Sequence, residues 1–161
     1  MPYKSFGFTD HQLMIRDAII GAMERELPTE KIEKLERASE YPEGAFQKLA
    51  KEGWLGLPYP EELGGADASY KDMAVFIEAL AYVHPGITSA FMTTVIYGGV
   101  QLARNGNEWM KGELLPELLA GRLKMAIAMS EPSGGSDLAN IKTRAVPDAD
   151  DWVLSGQKVY I

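Results

Sequence analysis

The residues of this chain best suited to chemistry stand together at Ala128-Met129-Ser130-Glu131-Pro132-Ser133-Gly134-Gly135-Ser136-Asp137, where an alternating apolar run meets glycines, hydroxyls and two carboxylates. Glycine lets a backbone come close to a ligand, and successive amides in such a loop can form an anion-binding concavity, so a phosphate or pyrophosphate is a reasonable guest. The stretch has neither the lysine of a phosphate-binding P-loop nor the G-x-G-x-x-G dinucleotide fingerprint. The same residues also suit a solvated connection between strands in which Asp137 closes an Asx turn, and local chemistry leaves both readings open.

Elsewhere the candidate chemistry is sparse. Cysteine is absent, which removes disulfides, thiolate nucleophiles and cysteine-bound zinc, and His11 and His84 are too few for a histidine-rich metal site. His84 precedes Pro85 near a helix boundary, where a capping or solvent-facing role is expected. Sixteen basic residues against twenty-three acidic ones give a formal charge of -7. The basic residues do not cluster, which argues against a nucleic-acid partner. No stretch approaches the roughly 18 consecutive apolar residues of a membrane span. The first residues carry neither a secretory nor a transit-peptide pattern, so the cytoplasm is the expected location.

Further motifs follow the glycine loop in order: Lys142-Thr143-Arg144-Ala145, then Leu154-Ser155-Gly156-Gln157-Lys158-Val159-Tyr160. Upstream stand Leu57-Pro58-Tyr59-Pro60-Glu61-Glu62-Leu63-Gly64-Gly65 and Leu115-Pro116 through Ala120-Gly121. Together with Ser130-Glu131-Pro132 and Gly135-Ser136-Asp137, this series resembles the acyl-CoA dehydrogenase family over essentially the whole chain. The matching family patterns are T/S-E-P-x-x-G-S-D, L-N-G-x-K with a following aromatic, P-E-E-x-G-G and L-P-x-L-A-x-G. Three residues depart from them while keeping chemical type: Ser130 where threonine is commoner, Ser155 for asparagine and Tyr160 for tryptophan.

The resemblance implies an FAD enzyme that desaturates acyl-CoA thioesters, a glutamate removing the α-proton while the β-hydrogen leaves as hydride to the flavin. It assigns Ile127, Met129 and Ser130 to the flavin ring, Gly135 and Ser136 to the FAD pyrophosphate, and Tyr160 to packing against the flavin. Ser136 also falls near the pantetheine arm of the substrate, and Ala90, Thr93 and Thr94 become candidate acyl-pocket residues. Glu131 and Asp137 take structural roles, fixing the loop by accepting backbone amides. No catalytic residue is expected within the chain, the base being placed in a C-terminal part. The resemblance further implies electron-transfer flavoprotein as acceptor and a homo-oligomer at full length. Relatives of this kind also include flavin oxidases and monooxygenases, and a non-catalytic acyl-binding or interaction module is a third reading.

The elements that must position these residues are mostly helical. Thr9 and Gln12 form a capping box, and Ile15, Ile19 and Met23, widened by Ala18 and Ala22, predict a helix ending at Leu27-Pro28, with Arg16 on its wet side. A charged helix is predicted from Thr29 to about Ser39, and a third lies between Pro42 and Gly53, burying Phe46, Leu49 and Ala50. Trp54 to Gly65 reads as an ordered, packed loop. Helices resume at about Ser69 to Val83 and Ile87 to Arg104, then in short pieces through Trp109 and Leu115 to Gly121.

Beyond Gly121 the period becomes two. Met125, Ile127 and Met129 share one face of a predicted strand, and further strands are predicted at Ile141 to Val146, Trp152 to Leu154 and from Val159, with a turn at Pro147-Asp151. The expected class is mainly α with a short β segment (α+β). A bundle-like all-helical domain over residues 1–122 precedes an incomplete one over 123–161, which the resemblance identifies as the start of a β-barrel-like flavin domain. A sheet of a few short strands with little core of its own reads as part of a longer chain.

Overall fold

A computed structural model describes residues 7–161. The chain divides into two compact units, the first ending at Met125 and the second running from Ala126 to Ile161.

The first unit is helical. Helix α1, Asp10–Glu26, starts at the expected capping box: Thr9 Oγ1 accepts from the Gln12 amide at 3.3 Å, and Gln12 Oε1 accepts from the Thr9 amide at 3.1 Å. Its buried stripe contains Ile15, Ile19, Ala22 and Met23 but not Ala18, which is exposed. Arg16, expected on the wet side, is only 3% exposed, and its guanidinium reaches the half-exposed carboxylate of Asp17 at 2.8 Å. A long stem that packs while its head finds a partner accounts for the difference.

Helix α2, Thr29–Ala38, buries nothing completely and leans on the core through Ile32 and Leu35. Helix α3, Glu43–Lys51, buries Ala45, Phe46 and Leu49, with Ala50 partly covered. The loop after it is packed as expected, with Leu55 and Tyr59 inside the core. A Cβ on Gly65 would lie 2.0 Å from the Tyr59 carbonyl oxygen, so only glycine lets this loop fold back on itself.

Helix α4, Tyr70–Val83, packs against α1 and begins at a second capping box, Ser69 with Asp72. Gln12 Nε2 donates to Asp72 Oδ1 at 2.9 Å, linking the two caps. The helix predicted to run to Arg104 is one continuous run with a widened middle: α5, Pro85–Phe91, a π-helical stretch Met92–Gly99, and α6, Val100–Asn105. A π turn frees main-chain carbonyls from their α-helical partners, and here the buried Tyr59 hydroxyl donates to the Val95 carbonyl at 2.8 Å. His84 is the expected cap, its Nδ1 accepting from the Ile87 amide at 3.3 Å. A second π stretch, Met110–Leu114, leads into α7, Leu115–Leu119. Among the described residues no helix is long and apolar enough to cross a membrane, and no acidic, histidine or cysteine cluster could hold a metal.

The second unit contains one antiparallel ribbon, β1 Arg144–Asp148 with β2 Asp151–Ser155, in register Val146 with Val153. The turn is therefore tighter than predicted, Pro147 and Asp148 belonging to β1, and Ala149 enters it at φ 52°. Both strands are edges, where a proline without an N–H can be accommodated. The strand predicted over 125–129 and the one beginning at Val159 do not form. A lone backbone bond, from the Val159 amide to the Ser130 carbonyl at 3.0 Å, joins these stretches. The neighbouring Met129 carbonyl goes to the Lys158 ammonium instead, and Tyr160 turns to φ 59°, so no ladder propagates.

Candidate functional site

The candidate ligand residues of the second unit hang on one buried group. Glu131, 6% exposed, is the only buried residue described between Ala126 and Ile161. Its carboxylate accepts from the Lys142 amide at 2.7 Å, the Thr143 amide at 3.0 Å and the Lys158 ammonium at 2.9 Å. These bonds fulfil the expectation that Glu131 fixes the loop through backbone amides. They also pinch residues 132–141 into a loop with joined ends.

The Glu131 carboxyl is held well below the usual range, at about 2. The causes in order are the Thr143 hydroxyl, the Lys142 amide and the Lys158 side chain. That hydroxyl is buried near the carboxylate but makes no hydrogen bond of accepted geometry. A Cβ on Gly156 would lie 2.2 Å from Thr143 Oγ1, so only glycine lets the chain at 156 pass this close to Thr143. Asp137 behaves differently from expectation: its carboxylate takes the side-chain amide of Asn140, and only its main-chain oxygen accepts a backbone amide.

The loop itself is exposed and offers donors. Among the described residues, the hydroxyls of Ser130 and Ser136 and the amides of Met129, Ser130, Gly135 and Ser136 have no partner. A Cβ at Gly135 would meet nothing within 4 Å. With Glu131 neutralised by Lys158 and Asp137 engaged by Asn140, this donor set suits an acceptor-rich, anionic group such as a pyrophosphate. Ile127 and Met129 are 39% and 38% exposed, and Tyr160 is 97% exposed.

In the first unit, Ala90 and Thr93 are half-buried, and the Thr93 hydroxyl donates back to the carbonyls of Ser89 and Ala90 at 3.1 and 3.2 Å. Thr94, 1% exposed, is bound to the main chain of Met125: its hydroxyl accepts from the Met125 amide at 3.2 Å. The hydroxyl of Thr94 is thereby committed to holding the last residue of this unit.

Lys158 completes the group as the ion-pair partner of Glu131, at 2.9 Å. In the sequence it is one letter of the Leu154–Tyr160 motif, 27 positions from Glu131, and no local signal marks the pairing.

Residues 9–122 match the family model described as acyl-CoA dehydrogenase, N-terminal domain. The caffeyl-CoA reductase-Etf complex subunit CarC of Acetobacterium woodii is 31% identical over 155 residues, which are 96% of this chain and 41% of that protein. The crystal structure of acyl-CoA dehydrogenase from Geobacillus kaustophilus superposes with a TM-score of 0.77 at 31% identity, over 96% of this chain and 40% of that one. The acyl-CoA dehydrogenase of Bacillus anthracis complexed with FAD gives a TM-score of 0.79 at 26% identity, over 97% of this chain and 27% of that one. The chain thus spans well under half the length of these relatives. The family model covering most of the helical unit and these relatives lead to one assignment: the chain belongs to the acyl-CoA dehydrogenase family.

Proposed function

We propose that the chain is the helical domain, residues 1–122, and the start of the flavin-binding domain, residues 123–161, of an FAD-dependent acyl-CoA dehydrogenase. The observation that carries this reading is the neck at Glu131, which leaves a loop of free amides and hydroxyls where the family resemblance puts the flavin. Bound FAD would supply the hydride acceptor. The chain's own residues bind and orient: Ile127, Met129 and Ser130 toward the ring, Gly135 and Ser136 toward the pyrophosphate, and Tyr160 toward the flavin. Ser136 is assigned to the pantetheine arm of the acyl-CoA, and Ala90, Thr93 and Thr94 to its acyl pocket.

The α-proton base lies outside these 161 residues, and the 161 residues alone are not expected to turn over substrate. An electron-transfer flavoprotein is the proposed acceptor, in keeping with the name of the Etf complex to which CarC belongs. The active form is a homo-oligomer.

The test is flavin content. The intact protein should purify with a flavin spectrum that acyl-CoA bleaches without oxygen, and rapid reoxidation in air would indicate an oxidase instead. Gly135→Val should lower bound FAD about tenfold or more, because a bulkier residue holds the backbone from the pyrophosphate. Since a Cβ there meets nothing in the protein, helix content should not change. Wild-type FAD occupancy in the valine variant would remove the loop from the site.

A further inference from the structure

We infer that Glu131 and Lys158 are positioning residues for the flavin, a partly buried ion pair that leaves the main chain of Met129-Ser130 with only donors free and keeps that edge electrically neutral. The inference rests on the flavoprotein reading above.

Three stretches distant in sequence meet at this pair. Glu131 ties 131 to 142–143 through two amides, and Lys158 Nζ bridges Glu131 Oε1 at 2.9 Å and the Met129 carbonyl at 3.1 Å. The Val159 amide takes the Ser130 carbonyl at 3.0 Å. Both carbonyls of the Met129-Ser130 segment are consumed in this way. Its amides and the Ser130 hydroxyl stay without a partner among the described residues. An edge with acceptors masked and donors free selects a planar ring whose rim is rich in acceptors, as an isoalloxazine is.

The pair also sets charge. The Glu131 side chain is 4% exposed and that of Lys158 24%, so solvent reaches the carboxylate poorly and its charge relies on the ammonium. Removing the cation leaves a negative charge beside the ring; removing the anion leaves a positive one. A group that acquires electron density on reduction feels these residual charges with opposite sign.

The experiment uses the intact flavoprotein with Lys158→Met, Glu131→Gln and Lys158→Arg, and measures FAD dissociation and flavin reduction potential at pH 8. Lys158→Met and Glu131→Gln should each weaken FAD about tenfold, since one partner of a partly buried pair is lost. The potential should fall in Lys158→Met and rise in Glu131→Gln. Lys158→Arg keeps a cation and both donors, and should stay within about threefold of wild type. If Lys158→Met yields no folded protein, the rise in Glu131→Gln and the recovery in Lys158→Arg decide the matter.

Unchanged affinity and potential overturn the inference, as do shifts of the same sign in both variants, which would mean simple loosening. Failure of Lys158→Arg to recover affinity overturns it too. A wild-type protein that takes up no FAD overturns the flavoprotein reading itself, and this inference with it.

Discussion

The two units are organised by opposite means. The helical unit closes around an apolar core in which Phe46, Phe76, Phe91, Leu80 and Tyr59 are all essentially inaccessible to water. The second unit has no buried apolar residue among those described; its centre is the Glu131 carboxylate. Hydrophobic burial is non-directional and tolerates adjustment, whereas a carboxylate with donors on several sides is satisfied by one geometry only. The first arrangement makes a stable scaffold. The second makes a locally specified site with little stability of its own.

The largest effect should come from opening the apolar core. Phe76 lies between Trp54, with ring centroids 5.5 Å apart, and Phe91, at 4.8 Å. Phe76→Ala should lower the stability of the helical unit by about 3–5 kcal/mol through lost transfer energy and a cavity. Urea unfolding followed by helical circular dichroism measures this, and a loss under about 1 kcal/mol would mean the core repacks freely.

Acid should act on the other unit. The Glu131 carboxyl sits at about 2 in the folded chain, below its ordinary value of 4.5. A depressed folded value contributes stability that is present above the unfolded value and is lost as pH falls. The protection factors of the Lys142 and Thr143 amides, relative to intrinsic exchange at each pH, should therefore be constant above pH 5 and fall between about 4.5 and 2. Glu131→Gln should abolish that acid limb. Protection that persists unchanged at pH 2 would show that the neck does not depend on the charged carboxylate.

The smallest effect concerns the ribbon. Ala149 holds φ 52°, a conformation glycine adopts without penalty, so Ala149→Gly should stabilise the turn by about 0.5–1 kcal/mol. Cross-strand NOEs between Ala145 and Leu154 should strengthen; weakening would mean that backbone entropy outweighs relief of strain.

Legibility followed the same division. The helices of the first unit announce themselves through local signals, the Thr9–Gln12 capping box and the four-residue spacing of Ile15, Ile19 and Met23. The π stretch does not, because it arises where the distant Tyr59 meets Val95. Alternation at 125–129 predicted a strand that does not form, since pairing depends on what Lys158 does with the Met129 carbonyl. The glycine loop was visible as a motif. Its neck was only half visible: Glu131 could be given a structural role, whereas Lys158 stands 27 positions away and nothing local joins the two.

The neck at Glu131 also has an evolutionary consequence. Because the ends of 132–141 are joined to each other, a change in loop length costs only slowly growing closure entropy, about 0.6 kcal/mol per doubling. The residues at 129–131 and 142–143 need not move when the loop does. Insertions and substitutions there can be sampled as a cassette, so that the exposed glycine loop can drift and be retuned while its anchorage is inherited intact.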